Sequence, residues 1–595
     1  MGHINSYLRP VERALPTKVL KTHNGAIQGL VYVFEDGRQA SAYMSIPFAQ
    51  PPIGELRFQK PQPPLPWEGI RDCTKLPPRC PHSDMIHEKV FIRIPKSEDC
   101  LYLNVFTPGR VEELREKLPV MVFVHGGGYT IHSCTHYGDS NICKCLCVKN
   151  VIVVTFNYRT GLLGFLCTGD HHSPGNYGFW DMHKALEWVR DNIETFGGDP
   201  NNVTIFGQSA GGSAVDCLAL SPHTQGLFHR YIAMAGNAYA TFSRQHAKRM
   251  REEWLYFATT MNGFKYDEKA TDEEINEQLV KFLRALPASK LELSLLPSRK
   301  LRINKDGRIH VCPVVDGDFF PKEFLELRKE MPKKQVITGV TKWESLLFVI
   351  AKQINHSLKD FATMVLDQTL SKYKLDQPKQ ELIDKAFATF LDETKSPKSL
   401  EYKEQIIKLC SDVMFNNSTI HLAESMVKLG HDVYLYTFDY HRPSVGGLLG
   451  HLFPFKGATH STELAYLFGK CIVSTHFTPS AEDLIVMDHF TNLFANFARY
   501  GDPNGRGEKK WIPISPDNVT RNYVIDLEEC VMKPEFCENR YLKWAEIWPD
   551  LNEMPTIEEG EEFETIDAPV SDIEAIEQEL VQDDKAFRNG DAKKN

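Results

Sequence analysis

NVTIFGQSAGG, residues 202–212, decides the fold: an apolar run that stops at a serine framed by glycines, followed directly by the helix-like SAVDCLAL (213–220). Val203, Ile205 and Phe206 have the composition of a buried strand. Gly207-Gln208-Ser209-Ala210-Gly211 then reads as G-x-S-x-G, the sharp strand-to-helix turn that lifts a serine clear of a sheet. The glycines are a steric demand, because the chain folds back so tightly that side chains two residues either side of Ser209 would collide. Such a turn exposes Ser209 Oγ as a nucleophile and aims the Ala210 N–H at the place where an oxyanion forms. On its own the five-residue pattern recurs by chance; its strand before and helix after give it weight.

Upstream, VMVFV (120–124) is a second strand-like run, and it ends in His125-Gly126-Gly127-Gly128. Three glycines after a strand can be a plain loop. They also suit an oxyanion hole, whose backbone N–H groups must approach a substrate with no side chains between. Gly127 and Gly128 are the candidate donors, with Ala210 as the third. VIVVTFNY (151–158) is another buried-strand run, and in WDMHKALEWVRDNIETF (180–196) Trp180, Ala185, Trp188, Val189 and Ile193 fall on one helical face. All-apolar strands alternating with amphipathic helices predict an α/β fold, a mostly parallel sheet covered on both faces.

Composition narrows the function. The 595 residues carry a formal charge of −10, yet residues 550–595 hold 15 Asp/Glu against 4 Lys/Arg. The body is therefore close to neutral, which excludes the basic footprint of a nucleic-acid binder. The organisation predicted is an N-terminal arm over 1–21, one domain over 22–549 and an acidic, disordered tail over 550–595. No apolar run reaches the length of a secretory signal core or a transmembrane helix, so the expected location is the cytoplasm. Met1-Gly2-His3-Ile4-Asn5-Ser6 fits the N-myristoylation pattern at Gly2, which would give weak, reversible attachment to a membrane surface. Fourteen cysteines are too few for a disulfide scaffold, and Cys143, Cys145 and Cys147 lack zinc-finger spacing.

Longer stretches carry a resemblance: SIPFAQPPIGELRFQKPQPPLPWEGIRD (45–72), SEDCLYLNVFTP (97–108), HGGGY (125–129), FNYRTGLLGF (156–165), residues 175–212, and GATHSTELAYLFG (457–469). In this order they resemble the type-B carboxylesterase/cholinesterase family, on its carboxylesterase-like, invertebrate gut-esterase-like side. The resemblance implies an α/β-hydrolase fold and serine-dependent hydrolysis of carboxylic esters through an acyl-enzyme, with no metal and no organic cofactor. It implies the two partners of Ser209 as well. The family's acid sits in G-x-[NT]-x-x-E, matched by Gly339 to Glu344, although Ser345 replaces the Gly that usually follows. Its histidine sits in G-x-x-H-x-x-[DE]-L, matched by Gly457 to Leu464, which singles out His460 from 22 histidines. The family's first disulfide falls on Cys80 and Cys100, a bond not assumed for a cytoplasmic chain.

Departures point to the substrate. Cholinesterases carry a cation-binding Trp between those cysteines, and here PHSDMIHEKVFIRIPKSED (81–99) has none. Gln208 stands where cholinesterases and many carboxylesterases have Glu, so a carboxylate near the site is missing too. Small uncharged, lipophilic esters are the expected partners, not choline esters. Two other readings share the fold: an acyltransferase using the same acyl-enzyme, and a silent neuroligin-like scaffold, which typically lacks the serine.

Overall fold

A computed structural model describes residues 11–552 except 86–87, 90–91, 295–310, 350–356, 447–448, 471–476 and 529. In chain order its strands are β1 (Val11–Pro16), β2 (Leu20–Thr22), β3 (Gly25–Gln28), β4 (Leu30–Phe34), β5 (Gln39–Pro47), β6 (Ile70–Asp72), β7 (Tyr102–Pro108) and β8 (Leu118–Val124). Then come β9 (Ile152–Phe156), β10 (Gly198–Gln208), β11 (Arg230–Met234), β12 (Gln335–Thr341), β13 (Asp432–Phe438), β14 (Asn522–Ile525) and β15 (Val531–Lys533). Twelve of them form one sheet in the order β1-β4-β5-β7-β9-β8-β10-β11-β12-β13-β14-β15, and β2, β3 and β6 form a small second sheet. From β9 to β14 every pairing is parallel; the outer strands at both edges are antiparallel.

The period-two geometry of a strand explains why the central runs carry apolar residues on both faces. Val120, Val122 and Val124 of β8 enter one core, while Met121 and Phe123 between them enter another. Tyr231 and Ala233 of β11 likewise face the first core, and Ile232 and Met234 the second. Helices Tyr177–Asn192 and Ala210–Leu220 cover the first face, and helix Ala481–Tyr500 covers the second. A third core, built from helices Leu358–Leu370, Lys379–Phe390 and Leu400–Ser411 with Trp343, Trp544 and Trp548, sits beside the turn after β12. This is the α/β-hydrolase architecture expected, as a single domain.

The expected arm over 1–21 differs from residue 11 onward. Val11–Pro16 pairs antiparallel with β4 and so forms the edge of the main sheet. Its residues are mostly exposed, because an edge strand buries little and shows no hydrophobic pattern. No described helix is long and apolar enough to cross a membrane. Gly2, and the tail from 553, lie outside the described residues.

Candidate active site

The parallel strands end along one edge of the sheet, where open α/β sheets place their chemistry. Ser209 follows β10 directly, with φ 60° and ψ −128°, and opens helix Ala210–Leu220. A non-glycine residue in that region carries strain of roughly 1–3 kcal/mol, tolerated where the surroundings fix it. Those surroundings are backbone. A Cβ on Gly207 would lie 2.3 Å from Gly211 O, one on Gly211 2.1 Å from Val124 O, and one on Gly236 2.1 Å from Ser209 O. Ser209 N–H donates to Met234 O at 2.8 Å, tying the elbow to β11. Ser209 itself is half-buried.

The glycine loop after β8 closes on this elbow. A Cβ on Gly126 would meet Gln208 O at 2.5 Å and Ser209 Cβ at 3.2 Å, so only glycine lets the loop touch the turn at Ser209. Gly127 and Gly128 both have positive φ, 110° and 59°. Among the described residues neither of their N–H groups meets a backbone acceptor. The Ala210 N–H, at the first turn of its helix, has no intrahelical partner either. His125 anchors the loop from beneath: its ring stacks on Tyr158 with centroids 4.3 Å apart, and burial pulls its pKa down to about 3. It is a neutral structural imidazole.

Glu344 follows β12 in a short turn and is fully buried. One carboxylate oxygen accepts the Thr341 N–H at 2.5 Å, and the other meets His460 Nδ1 at 2.6 Å. That bond fixes the His460 tautomer, with the proton on Nδ1 and the lone pair on Nε2. Phe415 and Phe348 flank the imidazole, with centroids 4.6 and 5.1 Å from it. Among the described residues no hydrogen bond links Ser209 Oγ to His460. The contact between the two segments is made by Gln208, whose amide nitrogen lies 3.3 Å from His460 Nε2 and 3.4 Å from Nδ1. Serine–histidine bonds are commonly long without substrate and tighten on binding. Nearby, burial and then the negative charge of Glu344 push Glu463 well above the carboxylate range, so Glu463 is held as the neutral acid.

Two features escaped the sequence. One is the Gln208 bridge, in which the Ser461 hydroxyl also donates to Gln208 Oε1 at 2.9 Å. No local signal announces it, since 253 residues separate the partners. The other is a buried cluster in the loop between Cys80 and Cys100, whose sulfurs are joined. There Glu88 Oε1 meets His136 Nε2 at 2.5 Å and His82 Nε2 at 3.1 Å. His82, Asp84 and Glu88 bring three ligand atoms together as a metal site would. The Arg79 guanidinium stands among them instead, 2.8 Å from Asp84 and 3.6 Å from Glu88. A fixed cation already balances the carboxylates, so these residues do not suit a metal ion.

Residues 16–544 match the model of the carboxylesterase family. The chain is 37% identical over 546 residues to esterase cest-33 of Caenorhabditis elegans, covering 91% of this chain and 95% of that protein. It is 34% identical over 552 residues to the medium-chain fatty acyl-CoA hydrolase precursor of Anas platyrhynchos, covering 90% and 92%. It is 33% identical over 519 residues to carboxylesterase 1E of Rattus norvegicus, covering 83% and 88%.

Proposed function

The chain belongs to the carboxylesterase family, whose work is the hydrolysis of carboxylic esters, and we propose that Ser209, His460 and Glu344 carry that reaction here on uncharged, lipophilic esters. The observation that carries the assignment is the 2.6 Å His460–Glu344 bond, on the same sheet edge as the strained Ser209. His460 Nε2 takes the Ser209 proton as Oγ attacks the ester carbonyl. Glu344 holds the ring's tautomer and stabilises the imidazolium, without itself taking the proton. The unspent N–H groups of Gly127 and Gly128, with that of Ala210, receive the oxyanion, and each such donor typically contributes about 3 kcal/mol. The imidazolium returns its proton to the departing alcohol, leaving an acyl-enzyme. Water then repeats the sequence and frees the acid.

The substrate class rests on what surrounds the base. Phe242 contacts Phe415, and Phe415 and Phe348 contact His460, an apolar wall suited to an alkyl or aryl group. Gln208, next to the nucleophile, is neutral, so nothing there offsets the desolvation of a cationic alcohol. The Anas platyrhynchos relative is named for medium-chain fatty acyl groups, in keeping with an apolar acyl partner.

A fluorophosphonate probe tests the nucleophile. It is expected to label the wild-type protein at one site and to leave Ser209→Ala unlabelled. A series of p-nitrophenyl esters of increasing chain length, with a choline ester beside it, tests the substrate class. Equal labelling of Ser209→Ala, or faster turnover of the choline ester than of neutral esters, overturns the reading.

A further inference from the structure

The geometry points to Gln208 as a positioning residue for the general base: its amide lies against the face of the His460 ring, anchored by Ser461, and leaves the Nε2 lone pair open to Ser209. The inference rests on the roles just proposed for Ser209 and His460.

The two distances from the amide nitrogen fix where it lies. It is 3.3 Å from Nε2 and 3.4 Å from Nδ1, nearly equidistant. The in-plane lone pair of Nε2 points away from Nδ1, so a donor on that axis would be much farther from Nδ1 than from Nε2. An in-plane position beyond Cε1, between the nitrogens, would collide with that carbon. The amide nitrogen therefore lies over the ring face, an N–H to π contact and not a hydrogen bond to the lone pair. Glu344 holds Nδ1 in the ring plane, and the Phe415 and Phe348 rings also flank the imidazole. Together these contacts stop rotation of the ring without using the lone pair that must accept the serine proton.

The other end of Gln208 is fixed as well. The Ser461 hydroxyl donates to its Oε1 at 2.9 Å, and Ser461 sits at φ 69°, where a non-glycine residue is uncommon. Ser209, the neighbour of Gln208 on the other segment, sits at φ 60°. One buried side chain thus joins two strained turns, that of the nucleophile and that of the base. Methionine has a similar reach but neither donates nor accepts as an amide does; glutamate keeps the acceptor but brings charge.

Three variants test this in the full-length protein. Gln208→Met is expected to lower kcat about tenfold on a neutral p-nitrophenyl ester, with KM within twofold. Ser461→Ala is expected to lower kcat by a smaller factor, and the double variant to match Gln208→Met alone, since both break one bridge. Gln208→Glu is expected to move the acid limb of kcat/KM to higher pH by roughly one unit, because a carboxylate over the ring favours the imidazolium. The groups facing the ring in that profile are Glu344, Glu463 from its own turn, residue 208, and the uncharged rings of Phe348 and Phe415. Active-site titration with the fluorophosphonate probe counts the folded enzyme in every sample. Wild-type kcat in Gln208→Met, or additive losses in the double variant, overturns the inference while leaving the esterase assignment standing. Absence of probe labelling in the wild type would overturn the assignment itself.

Discussion

Two of the buried histidine–glutamate pairs among the described residues are of nearly equal length, His460–Glu344 at 2.6 Å and His136–Glu88 at 2.5 Å, and their surroundings suit them to different tasks. In the second pair both ring nitrogens are occupied. His136 Nδ1 accepts the Ser133 N–H at 3.1 Å, and Nε2 donates to Glu88. Glu88 also accepts the Met85 N–H at 2.6 Å, and Arg79 lies within 3.6 Å. Nothing in that arrangement can take up a proton without breaking a bond. In the first pair the carboxylate holds only Nδ1, the contact from Gln208 is on the ring face, and a strained serine stands on the adjoining turn. The difference lies in the second nitrogen: a histidine acts as a base only where its architecture leaves a lone pair uncommitted. A carboxylate beside an imidazole does not by itself mark a reactive site.

The largest separation between the pairs comes from removing each imidazole. His460→Asn is expected to lower ester turnover on the order of 10⁴- to 10⁶-fold while the melting temperature stays within a few degrees. His136→Asn is expected to do the reverse, costing about 2–4 kcal/mol of stability by stripping a donor from a buried carboxylate, with kcat within tenfold. Steady-state kinetics and thermal unfolding on both variants check this; a His136→Asn protein as inactive as His460→Asn would erase the distinction. Removing the charges comes next. Glu344→Gln should reduce kcat about 10⁴-fold, since the amide favours the wrong tautomer. Glu88→Gln should cost about 2 kcal/mol and leave kcat nearly intact.

Acidification sharpens the contrast. Burial lowers His136 below its ordinary value of 6.5. For Glu88, burial opposes ionisation, but hydrogen bonds from His136 and His82 outweigh it and hold the carboxyl far below its ordinary 4.5. In both cases the unfolded chain binds a proton at a pH where the folded chain does not. Stability is therefore lost as pH falls, first below about 6.5 through His136 and then below about 4.5 through Glu88. The melting temperature should drop between pH 7 and pH 4, and less steeply in Glu88→Gln than in the wild type below pH 4.5. Parallel slopes would remove Glu88 from the effect. The smallest change expected is Ser133→Ala: its hydroxyl lies 3.0 Å from His136 Nδ1, and its loss should cost about 1 kcal/mol with kcat unchanged.

What the sequence disclosed follows from how local each signal is. The elbow at Ser209 was readable because its strand, its glycines and its helix all lie within one short stretch. The apolar strands β8 and β9 were readable because burial on both faces leaves β8 without a polar residue and β9 with Thr155 alone. Glu344 and His460 are singled out in the sequence only by resemblance to a family, since nothing chemical near either residue marks it. Edge strand β1 is not legible in VERALP, because an edge strand that leaves most of its residues exposed carries no hydrophobic alternation. The Glu88 cluster and the Gln208–Ser461 bridge were invisible, because each depends on side chains that meet across long stretches of chain.

That dispersal bears on how the chain becomes an enzyme. The glycine loop and the proposed nucleophile, acid and base come from positions 125–128, 209, 344 and 460, and β14, at 522–525, pairs with β13 in the same sheet. A nascent chain stalled before residue 460 carries the elbow but not the imidazole proposed as its base. Contacts this distant in sequence make folding slow, and large chains of this kind pass through partly assembled states. With the roles proposed for Ser209 and His460, reactivity waits on the C-terminal quarter of the polypeptide, and truncated chains are expected to be chemically silent even where their first half has collapsed.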